Sequence, residues 1–406
     1  LMARDAPDET TPLVDVVGYQ QSSSNCCAET RMIFNIGFPN VLQQLSGYLM
    51  TVSSLVILGT LAGPNELAGS ALGATFGSIS GTTLLAGLSE GIDTLCSQAF
   101  GAGQYGMVGR IFRRGLTLLL FFSAIDSVIF YYSEDLLLLL GQHPDLARIA
   151  GNYIRFMTPG LWGYAVALAL QRLLSAQRVT RPLWYVSGGT LPIHVATSLL
   201  LVGYFRLGEK GAAAAWSIVS ILRAVALVVC TAYVEARKPP HQRAFWGGET
   251  QQGGKEEDTI IDLKLRQWGR LLEVAMPAVA MLAAEFWAFE ILVLMAGQLP
   301  EPNVQVIATT ISLNATGLVF MFASGTSMAV CARVGSALGE GWVQGAKLAI
   351  CSGMGVCLLQ WAVVCSILLQ GVVRNNLHLL FAPPRSTSLH TSQSVQTLVC
   401  VSVLSS

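Results

Sequence analysis

The chain has 406 residues, of which 52% are hydrophobic and 12% are charged, and its formal net charge is zero. Soluble domains carry roughly 25% charged residues, and a neutral chain offers no basic surface to nucleic acid. The composition therefore excludes an ordinary soluble domain and a nucleic-acid-binding protein. The mean hydropathy of +0.55 predicts an integral membrane protein in a lipid bilayer.

A polar segment precedes the apolar part of the chain. Residues 1–30 carry several acidic side chains, and Arg4 is their one basic residue. A secretory signal peptide has the opposite pattern, with a basic start followed by an apolar run. We therefore predict a disordered cytosolic tail over residues 1–31.

Nine apolar runs follow, and each is long enough for a helix to cross a bilayer, which takes about 20 residues. The runs are too long and too apolar for barrel strands, so an all-α membrane protein is expected. They are residues 32–61, 71–97, 112–133, 149–174, 183–205, 211–235, 270–298, 303–331 and 345–371.

The basic residues between the runs predict the orientation. Four alternate connections, counted together with the adjoining ends of the runs, hold fifteen lysines and arginines, whereas the other four hold three. Basic connections face the cytosol in most membrane proteins. The count therefore predicts a cytosolic N-terminus.

A linker divides the runs into two groups. Residues 236–269 are rich in glycine, proline and charge, which indicates a solvated connection. It separates an N-lobe of six helices (32–235) from a partial C-lobe of about three (270–371). Residues 372–406 form an irregular tail whose last apolar run is too short to span a bilayer.

The two lobes resemble each other in sequence. Pro39 and Pro277 lie near the starts of the first and seventh runs, 238 positions apart, whereas Gly103 and Gly339 are 236 positions apart. Six runs separate the corresponding points, so the copies are parallel and related by an axis along the membrane normal. A sixfold repeat predicts three further helices, so the C-lobe is expected to be incomplete.

Two carboxylates, Glu285 and Glu290, interrupt the seventh run. A charge at the bilayer centre costs at least about 2.5–3.5 kcal/mol on insertion scales, so we expect both side chains to face a polar cavity. Burial favours the neutral form of a carboxyl group, which lets it take up and release protons. Five positions correspond to about 140° around a helix, so the two acids face different directions. The structural alternative is an ion pair with Arg155 or Arg223.

Four motifs resemble eukaryotic transporters of the multidrug and toxic compound extrusion (MATE) family, most closely its plant and algal branch. They are Ala284–Asn303 with its Glu-Phe-Trp-Ala-Phe-Glu core, Gly87–Tyr105, Gly141–Pro144 and Gln171–Gln177. They occur in the family's order and spacing. The resemblance covers about residues 32–350.

The resemblance implies a V-shaped bundle of six plus six helices that exports organic cations or secondary metabolites in exchange for protons or sodium. In eukaryotic members the acids of the seventh helix form the proton site, and they match Glu285 and Glu290. A further acid in the tenth helix has no counterpart here. We therefore predict a proton-coupled antiporter that exports organic cations, xenobiotics or secondary metabolites, needs no other cofactor and acts as a monomer in the plasma or vacuolar membrane.

Residues near the two acids complete the predicted site. Asn314, in the middle of the eighth run, is predicted either to hydrogen-bond to one of the glutamates or to contact a neighbouring helix. Phe286, Trp287 and Phe289 either form a cation–π wall for a cationic substrate or pack against other helices.

The first two runs supply further candidates. Gln43 and Gln44 stand where some bacterial relatives carry an acid. We therefore expect both to be neutral cavity residues, and we expect that the first lobe is not the main proton site.

Asp93 and Gln98 belong to the motif of the second run. Asp93 and Glu90 are predicted to cap a helix or to pair with Arg113 or Arg114.

Two prolines are predicted to bend membrane helices. Pro39 and Pro277 each free a backbone carbonyl group. They act either as hinges for alternating access or as static kinks.

The sequence is also compatible with other functions. The incomplete C-lobe favours a truncated membrane protein that pairs with a full-length partner and does not transport. A lipid-linked oligosaccharide flippase of the same superfamily would need a more cationic cavity. A membrane enzyme is not indicated, because the sequence has no metal-ligand cluster and no nucleophile with a matched base, and none of its nine cysteines forms a CxxC pair.

Overall fold

The computed structural model describes residues 26–239, 243, 268–300 and 302–368, and every regular element in these ranges is helical. Two π-helical segments, Ser78–Thr82 and Leu199–Tyr204, occur in the same ranges. The predicted all-α architecture is confirmed. The α-helices are α1 (Cys26–Leu61), α2 (Pro64–Gly77), α3 (Thr83–Gly101), α4 (Tyr105–Tyr131), α5 (Ser133–Leu139), α6 (Pro144–Ala176), α7 (Arg181–Ser198), α8 (Gly208–Arg237), α9 (Gly269–Ala296), α10 (Pro302–Gly339) and α11 (Val343–Leu368).

Eight of the described helical stretches are long and apolar enough to cross a membrane, so the chain is a multi-pass membrane protein. They include all the predicted runs except the fourth, 149–174, which lies in α6. That helix packs against α2, α3, α4 and α8. A helix side that packs on protein does not need to be apolar, which accounts for the buried Arg172, whereas Arg155 of the same helix is exposed and pairs with Glu134.

The first helix begins earlier than predicted. Residues 26–31 were expected to belong to a disordered tail, but α1 begins at Cys26. The Glu29 carboxylate is buried and accepts a hydrogen bond from Nε of the buried Arg333 at 2.5 Å. This ion pair holds the first turn of α1 against α10, and a composition-based prediction does not detect such a long-range partner.

The other predicted tails and most of the linker lie outside the described residues. This applies to 1–25, to 369–406 and to 240–267 except Arg243. The helices that flank the linker end at Arg237 and begin at Gly269, within two residues of the predicted lobe boundaries.

The structure shows an internal repeat with an offset of 238 positions. Helices α2 and α10 begin at Pro64 and Pro302, and α4 and α11 begin at Tyr105 and Val343. The turn before each of the latter contains a glycine with positive φ, which favours glycine over other residues. These glycines are Gly103 and Gly341. The predicted pairing of Gly103 with Gly339 is therefore wrong by two positions, because Gly339 ends α10 as Gly101 ends α3.

Repeat-related residues meet where the lobes touch. Asn303 donates a hydrogen bond to Asn65 at 2.6 Å. At the other end of α10, the Gly339 backbone lies against Gln98, and Gly101 lies against the backbone of Ser336. Contacts between equivalent positions are expected near a pseudo-twofold axis. Together with the packing of α1 on α10 and of α3 on α9, they join the two lobes.

Candidate functional site

Helix α9 presents one buried face to the N-lobe. Ala275, Val279 and Ala283 recur every four positions on this face and are buried, as expected for one side of a helix. Glycines in α3 permit the close approach. Gly91 lies against Ala275, and Gly87 lies against Val279. Side chains further along this face of α9 therefore point at α2 and α3.

Glu290 lies on the same face and reaches the other lobe. Its half-buried carboxyl group is within hydrogen-bonding reach of the hydroxyls of Thr75 in α2 and Ser78 in the π-helical segment. The Tyr48 hydroxyl of α1 is near enough to interact with it electrostatically. A single acid thus faces polar groups from three N-lobe elements.

The π-helical segment Ser78–Thr82 places these hydroxyls. The Ser78 and Thr83 hydroxyls are 3.3 Å apart, and Ser80 Oγ donates to the carbonyl oxygen of Phe76. Single π turns within α-helices occur often at functional sites. The segment was not predicted, although a run of hydroxyl residues in the middle of a membrane span is a signal for hydrogen bonding between helices.

Glu285 lies on another face of α9 and is exposed within the described part of the chain. The two acids therefore face different directions, as their spacing predicts. The repeat relates Glu285 to Gly47 of α1, and Gly47 faces Arg223 inside the N-lobe.

The alternative of an ion pair with Arg155 or Arg223 is not observed in the described residues. Arg155 pairs with Glu134 at 3.1 Å, and the Arg223 guanidinium contacts Gln171. The sequence could not decide this point, because each partner is more than twenty positions away from its arginine.

Asn314 contacts neither glutamate, so that predicted hydrogen bond is wrong. Its Oδ1 and its backbone oxygen accept hydrogen bonds from the Tyr48 hydroxyl at 3.1 and 3.0 Å. Its Nδ2 donates to the carbonyl oxygen of Thr310 at 2.8 Å. The alternative, a contact with a neighbouring helix, describes it better. Asn314 also lines a cavity of about 20 Å³ between α1, α2 and α10, which is large enough for about one water molecule.

Gly317 makes room for Tyr48, and its replacement by alanine is expected to displace that ring. A Cβ at this position would collide with the Tyr48 hydroxyl and ring. Overpacking typically costs about 1–3 kcal/mol. We expect Gly317→Ala to lower the melting temperature in detergent, and Gly355→Ala to leave it unchanged or raise it slightly, because no described residue lies near an added Cβ at Gly355 and alanine favours a helix over glycine. Equal melting temperatures for the two variants would contradict the tight contact.

The three aromatic residues near the acids do not form one continuous surface. Phe286 packs edge-to-face on Phe320 of α10, with ring centroids 5.6 Å apart. Trp287 and Phe289 are 39% and 47% exposed in the described chain. The packing alternative therefore holds for Phe286, and a cation–π wall stays a prediction for the other two.

The glutamines of α1 point in different directions. Gln44 Nε2 donates to Ser324 Oγ of α10 at 2.9 Å, which links the lobes. Gln43 is fully buried and lies 2.9 Å from the Gln171 amide of α6. One glutamine thus belongs to the lobe interface and the other to the interior of the N-lobe.

A buried ion-pair cluster lies between α3 and α6. Arg172 contacts Glu90 at 2.5 Å and Asp93 at 3.7 Å, and it donates to Ser89 Oγ at 3.0 Å. The prediction that an arginine near the start of α4 pairs with Asp93 is therefore wrong. The partner comes from α6, which packs directly on α3.

Gln98 lies at the ends of several helices, and the two prolines lie inside helices. Gln98 lines a cavity of about 290 Å³ where α3, α4, α9 and α10 end or begin, together with Arg114 and Arg270.

Pro39 and Pro277 lie inside continuous helices α1 and α9. The hinge assignment of both prolines stays a prediction.

Comparison with known proteins agrees with this architecture. The MatE family model matches residues 39–200 and 277–395, and these two segments begin at the repeat-related prolines. The chain belongs to the MatE family. Proteins of this family are transporters and not enzymes.

Similar proteins come from plants. The chain is 33% identical over 337 residues to Protein DETOXIFICATION 16 of Arabidopsis thaliana, a match that covers 83% of this chain and 65% of that protein. It is 30% identical to Protein DETOXIFICATION 3 of the same plant, covering 85% and 69%. The match thus spans slightly less than two thirds of the length of DETOXIFICATION 16.

Solved structures share the fold. The eukaryotic MATE transporter AtDTX14 superposes with a TM-score of 0.79 at 27% identity, covering 93% of this chain and 80% of that one. A MATE structure in complex with MaL6 superposes with a TM-score of 0.72 at 16% identity, covering 92% and 78%. The latter shows the fold alone.

Proposed function

We propose that this chain exports small organic molecules by alternating access in exchange for protons, with Glu285 and Glu290 as the proton-binding residues. One observation carries the proposal. Glu290 in α9 of the C-lobe faces the Thr75 and Ser78 hydroxyls of the N-lobe. A group that can change its charge therefore lies at a contact between the two lobes.

Protonation of Glu290 would change how strongly the lobes hold together. An ionised carboxylate accepts short, charge-assisted hydrogen bonds, which are roughly twice as strong as neutral ones. When Glu290 takes up a proton, its bonds to Thr75 and Ser78 become neutral and weaker. The lobes then separate more easily at this position, which couples proton uptake to a change in access.

Glu285 serves as the site where proton and substrate compete. Its repeat-related position, Gly47, faces the interior of the N-lobe, which supports an interior position for Glu285 in the C-lobe. A cationic substrate is held by the ionised carboxylate and released when a proton neutralises it. Sodium is the alternative coupling ion at the same acids.

The available driving force limits what the exchange can achieve. One pH unit supplies about 1.4 kcal/mol, which is a tenfold concentration ratio. A membrane potential of 100 mV adds about 2.3 kcal/mol per charge moved. Exchange of one proton for one monovalent cation moves no net charge, so only the pH difference drives it. A neutral metabolite exchanged for one proton gains both contributions.

We further propose that the chain acts as a monomer in the plasma or vacuolar membrane, with its N-terminus in the cytosol and an organic cation or secondary metabolite as substrate. The excess of basic residues in alternate connections supports this orientation. The plant relatives support the substrate class. Substituted-cysteine labelling from either side of sealed vesicles tests the orientation.

Replacing Glu285 with glutamine tests the exchange site. We expect Glu285→Gln proteoliposomes to bind a cationic dye such as ethidium more weakly and without dependence on pH, and to show no efflux driven by a pH gradient, because a neutral amide neither holds the cation by charge nor exchanges a proton. Glu273→Gln, an exposed acid in the first turns of the same helix, is the matched control and should transport normally. Retained pH-driven efflux in Glu285→Gln would refute the assignment, and sodium-driven efflux in the wild type would replace the proton by sodium.

A further inference from the structure

An arginine lies inside the N-lobe without an acidic partner. Arg223 is near the middle of α8, on the side of that helix where Val219, Ser220 and Leu227 are buried. Its side chain is half-buried. Among the described residues, no aspartate or glutamate pairs with it or acts on its charge. Ionisable residues inside a membrane bundle normally pair with one another or face a pathway.

Two amides extend from this arginine across the lobe. With its amide oxygen facing α8, Gln171 of α6 accepts from Arg223 Nε at 3.2 Å and also from Nη2. The Gln171 nitrogen then lies 2.9 Å from the side-chain amide nitrogen of Gln43 in α1, and turning the Gln43 amide as well lets its oxygen accept this hydrogen bond. Neutral amides orient the guanidinium group, but they do not balance its charge.

The facing side of α1 carries unused hydrogen-bonding groups. Asn40 and Gln43 are both 0% exposed, and they lie three positions apart on one face of the helix. Neither amide atom of Asn40 has a partner in the described structure, and one end of the Gln43 amide also has none. One turn further on, α1 passes close to the guanidinium at Gly47, where an added Cβ would be in van der Waals contact with Arg223 Nη1 at 3.8 Å.

An aromatic patch adjoins the polar groups. Tyr164 lies two turns from Gln171 on α6, and Trp216 lies two turns from Arg223 on α8, so each pair shares a helix face. The Tyr164 and Trp216 rings pack with centroids 6.1 Å apart, and both side chains are half-buried. A guanidinium group binds a carboxylate through two parallel hydrogen bonds, and the two rings can pack against an aromatic ligand. The arginine, the amides and the rings together therefore suit an aromatic molecule that carries an anionic oxygen group.

We propose that Arg223, Gln171 and Gln43 bind the carboxylate, or an equivalent oxyanion, of an aromatic metabolite inside the N-lobe. This inference rests on the proposed function, since the bound metabolite is the exported substrate. It assigns the two lobes different tasks. The C-lobe acids exchange the coupling ion, and the N-lobe arginine binds those secondary metabolites that carry a negative group.

Two xanthene dyes of opposite charge test the proposal by equilibrium binding to the full chain in lipid nanodiscs. Fluorescein carries a carboxylate, whereas rhodamine 6G is a cationic ester of similar shape. Arg223→Gln should weaken fluorescein binding by about tenfold or more, because it removes charge-assisted hydrogen bonds, and should change rhodamine 6G binding by less than about twofold. Arg223→Lys should keep part of the affinity, because the charge remains but the planar donor pair is lost.

Arg155→Gln is the matched control, because Arg155 pairs with Glu134 elsewhere in the lobe, and it should bind fluorescein normally. Competition in the wild type needs no variant, since benzoate should displace fluorescein and the neutral isostere benzamide should not. Wild-type protein that binds only rhodamine 6G, or an Arg223→Gln protein that binds both dyes normally, would overturn the proposal. Normal dye binding without proton-driven transport would instead reject the proposed function and leave this site intact.

Discussion

Glu290→Gln is expected to lower pH-driven transport in proteoliposomes by at least about tenfold, while exchange of substrate across the membrane without a gradient continues. Hydrogen bonds to a charged group contribute about 1.5–3 kcal/mol each, and 1.4 kcal/mol is a factor of ten. Glutamine keeps the size of the side chain but cannot change charge. The lobe contact at Thr75 and Ser78 then no longer responds to protons.

Two control variants distinguish a loss of proton coupling from a loss of folding. Glu273→Gln on the same helix is the control for a removed acid, and both variants should show the wild-type elution profile in detergent. The double substitution Thr75→Val and Ser78→Ala removes the two hydroxyl groups that face Glu290 and should reproduce part of the loss. If Glu290→Gln retains the wild-type response to a pH gradient, the lobe-contact mechanism is wrong.

Arg172→Leu is expected to destabilise the N-lobe by about 3–5 kcal/mol, which is the usual effect of removing one member of a buried ion pair. Arg172 is 6% exposed, and Asp93 beside it is 0% exposed. The substitution leaves Glu90 and Asp93 without their cation. The free energy of unfolding can be measured by sodium dodecyl sulfate titration of the protein in detergent micelles.

Arg155→Leu is the matched control for that measurement. Its ion pair with Glu134 has a similar distance, but its side chains are 40% and 28% exposed, and exposed pairs contribute about 0–1 kcal/mol. Adding Glu90→Leu and Asp93→Leu to Arg172→Leu should recover much of the loss, because an apolar cluster can replace a buried ionic one. Equal destabilisation by Arg155→Leu and Arg172→Leu would show that burial does not set the effect.

Sequence patterns predicted the helices and the repeat well, because both depend on local composition. Long apolar runs define spans, and Pro39 and Pro277 gave the offset of 238 that the helix starts confirm. The glycine pairing failed for a physical reason. Gly103 is a turn residue with positive φ, whereas Gly339 packs at a helix end, so residue type alone does not reveal the role.

Side-chain partners were predicted poorly, because they join residues that are distant in the chain. Arg172 pairs with acids about 80 positions away, and Tyr48 bonds to Asn314 across 266 positions. One sequence contains no information about which of several arginines or amides meets a given acid. Helix faces narrow the choice to a neighbouring helix, but the tilt and packing of the bundle decide the contact.

The most direct measurement of the central claim counts protons when substrate binds. Calorimetric titration of substrate in two buffers with different ionisation enthalpies gives the number of protons released, which linkage relates to groups that change protonation. We expect the wild-type protein to release about one proton per substrate, and the Glu285→Gln, Glu290→Gln double variant to bind substrate more weakly and without proton release. Equal proton release by the two proteins would contradict a proton site in α9.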